Sequence, residues 1–318
     1  MNTNILITSA GKRVALVNYF KETLKEFFPD SMVFTTDMNP NMAPAGYVSD
    51  CCIKVPRVTD DNYPDILNKI CIENGIGMIV PTIDTELLVL SKIKKHFAEQ
   101  NISVIVSDEK FVQSCRDKRE TQYFFETNGI KVPQKRDIEY PVFPIFAKPY
   151  DGSLSTNLHI IRSYEDITSS IKEDKKLIFM ELIDKTVYKE YTVDMYYGID
   201  HKVKCIIPRE RISVRAGEIN QGKTQKNYII DFLKEKLNYI EGCVGCICIQ
   251  LFYDDKTHDI IAIEINPRFG GGFPLSYVSG GNFPASLIKE HFLHQEIEYY
   301  DGWKDGLIML RYDDAIFV

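Results

Sequence analysis

From Ile5 to about Ser107, short apolar runs alternate with longer amphipathic ones. Ile5-Leu6-Ile7-Thr8 and residues 32–36, 78–81 and 102–106 are apolar enough to be strands covered on both faces. Between them, residues 13–28, 63–74 and 85–100 carry apolar positions at helical spacing. The alternation predicts a doubly wound α/β unit with a parallel sheet, in which ligands gather at the carboxyl ends of the strands. Ser9-Ala10-Gly11-Lys12-Arg13, Asp37 and Asp84-Thr85-Glu86 fall at or near those ends.

The character changes downstream. Residues 117–129 read as a helix stopped by Gly129. Residues 142–148 and 158–162 read as strands around the polar turn 150–157. The apolar runs 177–183, 190–194, 203–207, 246–252 and 260–265 predict a mostly antiparallel sheet, interrupted by a helix over 228–239. The expected plan is an N-terminal α/β domain over 1–107, then a two-part α+β domain divided into 108–179 and 180–318.

Composition narrows the function. The 318 residues are 44% apolar and 26% charged, as in ordinary globular chains. Against 38 Lys and Arg stand 45 Asp and Glu, a formal charge of −7 that repels a nucleic-acid backbone and confines any anion site to a local patch. The start of the chain lacks the basic and apolar regions of a secretory signal, and no run is long enough to span a bilayer. Eight scattered cysteines lack the density of a disulfide scaffold, so a reducing cytoplasm is expected. Cys243 and Cys246 form one CxxC without a second pair at zinc-ligand spacing, and Cys246 and Cys248 lie in an apolar run, where cysteine behaves as a small hydrophobe.

Chemistry concentrates near the end of the sheet region. Gly11 follows a strand and precedes a helix, but the dinucleotide fingerprint needs three glycines, and a tight turn accounts for one. The stronger signal is Glu264-Ile265-Asn266-Pro267-Arg268-Phe269-Gly270-Gly271-Gly272. Strand alternation puts Glu264 and Asn266 on one face, where a carboxylate and an amide oxygen suit a hard cation such as Mg²⁺. If residues 254–259 close a hairpin with Gln250 opposite Glu264, three oxygens converge, whereas a slip of one residue sends Gln250 to the wrong face. Arg268 then brings positive charge to where phosphate oxygens would lie.

This stretch resembles the metal and phosphate motif of the ATP-grasp superfamily, including the carbamoyl-phosphate synthetase large subunit and biotin carboxylase. Asp117-Lys118, Lys148-Pro149, Asp151-Gly152-Ser153-Leu154-Ser155, Glu181-Leu182-Ile183 and Glu190 follow in the order the family requires, so the resemblance spans essentially the whole chain. It implies a grasp lid over 108–179, a C-terminal sheet subdomain over 180–318, and an architecture like the stand-alone ligases related to the pyrrolysine-biosynthesis ligase.

The same resemblance implies roles. Lys118 and Lys148 are point charges for ATP phosphates, and Gly152, Ser153 and Ser155 form a covering loop. Glu181, Leu182 and Ile183 match the hinge that reads adenine, and Glu190 matches the carboxylate that holds ribose. Gln250, Glu264 and Asn266 would hold Mg²⁺, or Mn²⁺, while Arg268 and Lys148 would stabilise the transferring phosphoryl group. Leu154 and Asn157 depart from the glycine-rich loop of relatives. The implied reaction joins a small-molecule carboxylate to an amine through an acyl phosphate, with no nucleic-acid or membrane partner and a homodimer allowed. Bicarbonate activation for carbamoyl or carboxy transfer, and a nucleotide-binding regulatory module without turnover, are the rival readings. Asp84, Glu86 or Arg13 is expected to shape the acceptor site, and the basic run Arg209, Arg211, Arg215 and Lys223 reads either as a solvated loop or as an anion-binding one.

Overall fold

The computed structural model describes residues 2–152, 156–215 and 217–318. Its first sheet is parallel, built from β1 (Asn4–Thr8), β2 (Val33–Asp37), β3 (Cys51–Lys54), β4 (Ile76–Pro81) and β5 (Ser103–Val104). The helices that alternate with them are α1 (Val14–Phe27), α2 (Pro44–Val48), α3 (Tyr63–Glu73) and α4 (Asp84–Ala98). The strand order β3-β2-β1-β4-β5 reverses direction between β1 and β4, which opens a crevice at the carboxyl ends of those two strands. Ile5, Leu6 and Ile7 are all fully buried because helices cover both faces of the sheet.

Two helices, α5 (Glu109–Arg116) and α6 (Lys118–Thr127), lead out of this unit. Asp117 caps α6, its side chain accepting from the Arg119 amide. Next comes a three-stranded antiparallel sheet, β7-β6-β8, made of β6 (Ile145–Pro149), β7 (His159–Ile161) and β8 (Leu177–Glu181), with α7 (Ser169–Glu173) against it. Its core is small, centred on Ile145, Ala147, Ile161, Ile171 and Leu177.

The third sheet has six strands in the order β13-β12-β9-β10-β11-β14. They are β9 (Lys189–Tyr197), β10 (Val203–Arg215), β11 (Glu218–Thr224), β12 (Gly245–Tyr253), β13 (Ile260–Asn266) and β14 (Ile308–Leu310), accompanied by α8 (Ile229–Lys236), α9 (Phe273–Val278) and α10 (Phe283–His291). Alternation divides β9 between two environments. Tyr191, Val193, Met195 and Tyr197 join a core with Phe125 of α6 and Leu233 of α8. On the other face, Tyr196 packs into a core shared with Leu16 and Phe20 of α1 and with Phe269, Phe273 and Phe283. The Phe20 and Phe269 rings meet edge to face at 5.7 Å, one of the contacts that fix the N-terminal domain on the large sheet.

Two expectations change here. The basic run is not a loop: it forms the β10–β11 hairpin, in which Arg209 pairs with Asp194, Arg211 with Glu190 and exposed Arg215 with Asp313, while Lys223 lies on β11. Cys243, Cys246 and Cys248 are buried, but Cys248 does more than fill space, since its Sγ donates to Asp194 Oδ1 at 2.9 Å.

Candidate active site

The β12–β13 hairpin starts with Tyr253 opposite Ile260, Phe252 opposite Ile261 and Leu251 opposite Ala262. Continuing that register would place Gln250 opposite Ile263 and turn Glu264 toward the apolar layer holding Ile260 and Ala262. The ladder instead shifts between Leu251 and Gln250, so that Gln250 faces Glu264 and Cys248 faces Asn266. Ile263 is the extra residue of this β-bulge. The shift returns Ile265 to the apolar layer and leaves Glu264 and Asn266 together on the opposite face, where Asn266 Nδ2 donates to Glu264 Oε1 at 3.1 Å. Gln250 shares their face because its neighbours Ile249 and Leu251 point into the core.

Among the described residues, no three His, Cys, Asp or Glu side chains come together as a metal site. The Gln250, Glu264 and Asn266 set offers one carboxylate and two amide oxygens, all hard donors. That set fits Mg²⁺, which uses few protein carboxylates and takes further ligands from phosphates and water.

Lys148 lies on β6 of the small sheet and is buried. Burial lowers its pKa to about 8, with Glu264 working to raise it and Lys118 to lower it further. The two lysines and the Glu264 carboxylate therefore lie within electrostatic range of one another, although they come from three different elements. Lys118 is also buried, at the start of α6, and its Nζ donates to the Gly152 carbonyl. Gly152 is thus tied to Lys118, whereas Ser153 and Ser155 lie outside the described residues.

Glu181 ends β8, and its carboxylate accepts from the Gln134 amide at 2.9 Å and lies 3.5 Å from Arg136. Leu182 and Ile183 follow outside any strand, which frees their backbone from the sheet ladder. Glu190 projects from β9 between Lys185, at 2.9 Å, and Arg211, at 3.2 Å.

Arg268 spans the domains. Its Nε and Nη2 form a fork on Asp84 of α4, at 2.9 and 2.7 Å, and Nη1 donates to the Phe269 carbonyl. Burial works against the Arg268 charge, but Asp84, together with Cys248 and Glu264, more than offsets it. A phosphate could not take the same fork while Asp84 holds it. The following glycines leave room for polar side chains. A Cβ on Gly270 would stand 2.8 Å from Cys248 Sγ, one on Gly271 2.5 Å from the Glu218 carboxylate, and one on Gly272 2.2 Å from Arg209 Nη1.

Beneath this loop, Arg209 is fully buried and forks onto Asp194 at 2.8 and 2.9 Å, with Ser276 Oγ donating to the same carboxylate at 2.5 Å. Arg209 and Cys248 stand out singly in the sequence, but their network with Asp194 and Ser276 does not, because the four lie on separate elements. Of the three residues expected to shape the acceptor site, Asp84 reaches the cleft through Arg268 and Arg13 lies near it. Glu86 does not: it is fully buried, accepts from the Tyr63 hydroxyl, and has its carboxyl pKa pushed up by burial.

The chain is similar to known proteins in both its N-terminal and its C-terminal parts. Residues 5–105 match a family described as PylC-like, N-terminal domain, and residues 173–314 match one described as ATP-grasp in the biosynthetic pathway with Ter operon. A carbamoyl-phosphate synthase of Methanobrevibacter smithii is 23% identical over 274 residues, covering 77% of this chain and 72% of that protein. The biotin carboxylase domain of Hydrogenobacter thermophilus 2-oxoglutarate carboxylase superposes with a TM-score of 0.71 at 13% identity, over 96% of this chain and 73% of its own. N5-carboxyaminoimidazole synthetase of Staphylococcus aureus gives 0.71 at 16% identity, over 96% and 79%.

Proposed function

We propose that this chain, an ATP-grasp protein with a PylC-like N-terminal domain, is an ATP-dependent ligase that joins a carboxylate to an amine through an acyl phosphate. The observation that carries the reading is the bulged register that sets Gln250 and Asn266 beside Glu264 on the face coupled to Lys148. Fold neighbours support the nucleotide: the H. thermophilus domain was solved with MgADP and bicarbonate, and the S. aureus synthetase with ADP.

In this reading ATP lies between the small sheet and the six-stranded one. Lys118 and Lys148 hold its phosphates, and Gly152 lies beside Lys118, with the roles expected of Ser153 and Ser155 falling outside the described residues. Glu181 and the free backbone of Leu182 and Ile183 meet adenine, while Glu190 exchanges its Lys185 contact for ribose hydroxyls. Gln250, Glu264 and Asn266 hold Mg²⁺, which when bound offsets the charge of the terminal phosphates. Arg268 steadies charge on the phosphoryl group once Asp84 yields part of its fork.

The substrate carboxylate attacks the γ-phosphorus, the bond to the bridging oxygen breaks, and ADP leaves. The amine nitrogen then attacks the acyl carbon, expels inorganic phosphate and loses a proton to give the amide. Because ATP supplies all the energy of amide formation, the protein has only to position the reactants and stabilise charge.

The test is a screen for Mg²⁺- and substrate-dependent ADP release across pairs of carboxylates and amines, followed by the mass of the product. ADP release that needs bicarbonate instead moves the reaction to carbamoyl or carboxy transfer. MgATP binding with no ADP release for any pair would favour a regulatory module.

A further inference from the structure

The crevice between β1 and β4 holds a cation that the mechanism above does not use. The β1–α1 turn is held in place by Ala10 donating to Thr36, Arg13 donating to Ala10, and Ala45 donating to Gly11, all through the backbone. Gly11 takes a positive φ of 48°, which fits its place in the turn. Thr82, just after β4, donates its hydroxyl to the carbonyls of Thr8 and Ser9, locking the two strand-end loops together. Arg13 and Asp84 thus flank one crevice, and Asp84 carries Arg268 into it.

Three arginines and two carboxylates lie in this region, with Arg13 in electrostatic range of Arg268, Glu218 and Arg311. Arg268 is satisfied by Asp84. Arg311 Nη1 lies 2.7 Å from Glu218, and its Nη2 donates to the Gly271 carbonyl. Arg13 is half-buried yet, among the described residues, has no carboxylate within ion-pair distance. Burial comes first in lowering its pKa, then Arg268, with Glu218 opposing and Arg311 adding to the drop. A partly desolvated guanidinium beside two others costs free energy unless an anion joins it.

Its place relative to the metal set says which anion. The charges acting most on Lys148 are Glu264 and Lys118, those on Arg268 include Asp84 and Glu264, and those on Arg13 include Arg268, Glu218 and Arg311. Arg13 immediately precedes α1 of the N-terminal domain, whereas Lys148 lies on β6 and Glu264 on β13. A carboxylate undergoing phosphorylation belongs beside Lys148 and the proposed metal set, on other elements than the one that carries Arg13.

We propose that Arg13 binds an oxyanion of the non-nucleotide substrate, a carboxylate or phosphoester other than the carboxylate that is activated. This rests on the ligase reading and makes it narrower. One of the condensing molecules carries a spare anionic group, as an amino acid or dicarboxylate does, so ammonia with a simple monocarboxylate is not the substrate pair. A bidentate arginine contact suits either oxyanion.

The experiment is calorimetric titration of the full chain with its nucleotide site filled by a non-hydrolysable ATP analogue and Mg²⁺. Inorganic phosphate and glutarate serve as probes against wild type, Arg13→Gln, Arg13→Lys and Lys12→Gln, with thermal melts to check folding. At least one probe should bind wild type and Lys12→Gln alike, bind Arg13→Gln at least tenfold more weakly, and recover part of that loss with Arg13→Lys. Glutarate binding alone assigns a carboxylate, and phosphate binding alone assigns a phosphoester. The proposal is overturned if neither probe binds, or if a folded Arg13→Gln binds both as wild type does. Failure of the ATP analogue to bind wild type would instead count against the ligase reading, since Arg13 plays no part in holding nucleotide.

Discussion

Replacing Lys148 with methionine separates stability from nucleotide binding, because this lysine is destabilising while the site is empty. Its side chain is buried, and its pKa falls from 10.5 to about 8 chiefly by desolvation. At 1.36 kcal/mol per tenfold change in proton affinity, that fall corresponds to roughly 3 kcal/mol of cost at neutral pH. Methionine keeps the length and drops the charge. If relaxation recovers half of the cost, the gain is about 1.5 kcal/mol, or a rise in Tm of roughly 3–6 °C for a domain of this size.

The sign follows from proton counts. The folded chain gives up the Lys148 proton above about pH 8, whereas the unfolded chain keeps it to about 10.5. The penalty is therefore full below pH 8 and fades as pH rises toward 10.5, so the variant's advantage should shrink over that window. Binding should move the other way. Loss of a charge-assisted phosphate contact costs about 1.5–3 kcal/mol, which weakens MgATP binding by about ten- to a hundredfold. Melts at pH 7 and pH 10, with calorimetry at pH 7, measure both effects. A Tm that falls, together with unchanged nucleotide affinity, would refute the placement of Lys148 as an unpaired cation awaiting phosphate.

Three further changes test neighbouring parts of the site. Glu264→Gln keeps size and removes the one carboxylate of the proposed metal set, so ADP release at saturating Mg²⁺ should be lost while circular dichroism stays native; near-normal turnover in a folded variant rules out the metal assignment. Asp84→Asn breaks the fork on half-buried Arg268 and should lower stability by about 1–3 kcal/mol in denaturant titration, and an unchanged midpoint would show that the contact contributes nothing. Deleting Ile263 removes the bulge and seats Glu264 directly after Ala262, still opposite Gln250 and off the apolar face, so Mg²⁺-dependent nucleotide binding should persist in a folded variant; loss of that binding would show that the bulge itself shapes the site.

What the sequence revealed follows physical lines. The parallel sheet was legible because strands buried on both faces are continuous apolar runs, as Ile5-Leu6-Ile7 is. The β10–β11 hairpin was not, since Arg209, Arg211 and Arg215 alternate with residues of mixed character and charged positions ordinarily face water. Here Asp194 and Glu190 on the neighbouring strand neutralise two of them, a pairing that only the ladder reveals. Helix α5 offers just Phe111 and Val112 as buried residues, too few to give a periodic signal. Asp84 and Arg268 are 184 residues apart, and nothing local marks them as partners.

The bulge shows why a motif read from residue types can place the right side chains and still not explain them. Glu264 and Asn266 are two apart on a strand, so alternation alone puts them on one face. Which face that is depends on the ladder with β12, and the hairpin's own register would have chosen the apolar one. Ile263 reverses the choice at the expense of one unpaired residue in the ladder. The same logic holds for Gly270, Gly271 and Gly272. In this molecule each yields space to a polar side chain, and the Arg209 and Glu218 so admitted belong to the buried network and to the Arg311 pair. The glycine run is therefore selected as much by the charges packed against it as by any ligand. A single methyl group at Gly272 would meet the Arg209 guanidinium, which is buried and forked onto Asp194 and so has little room to retreat.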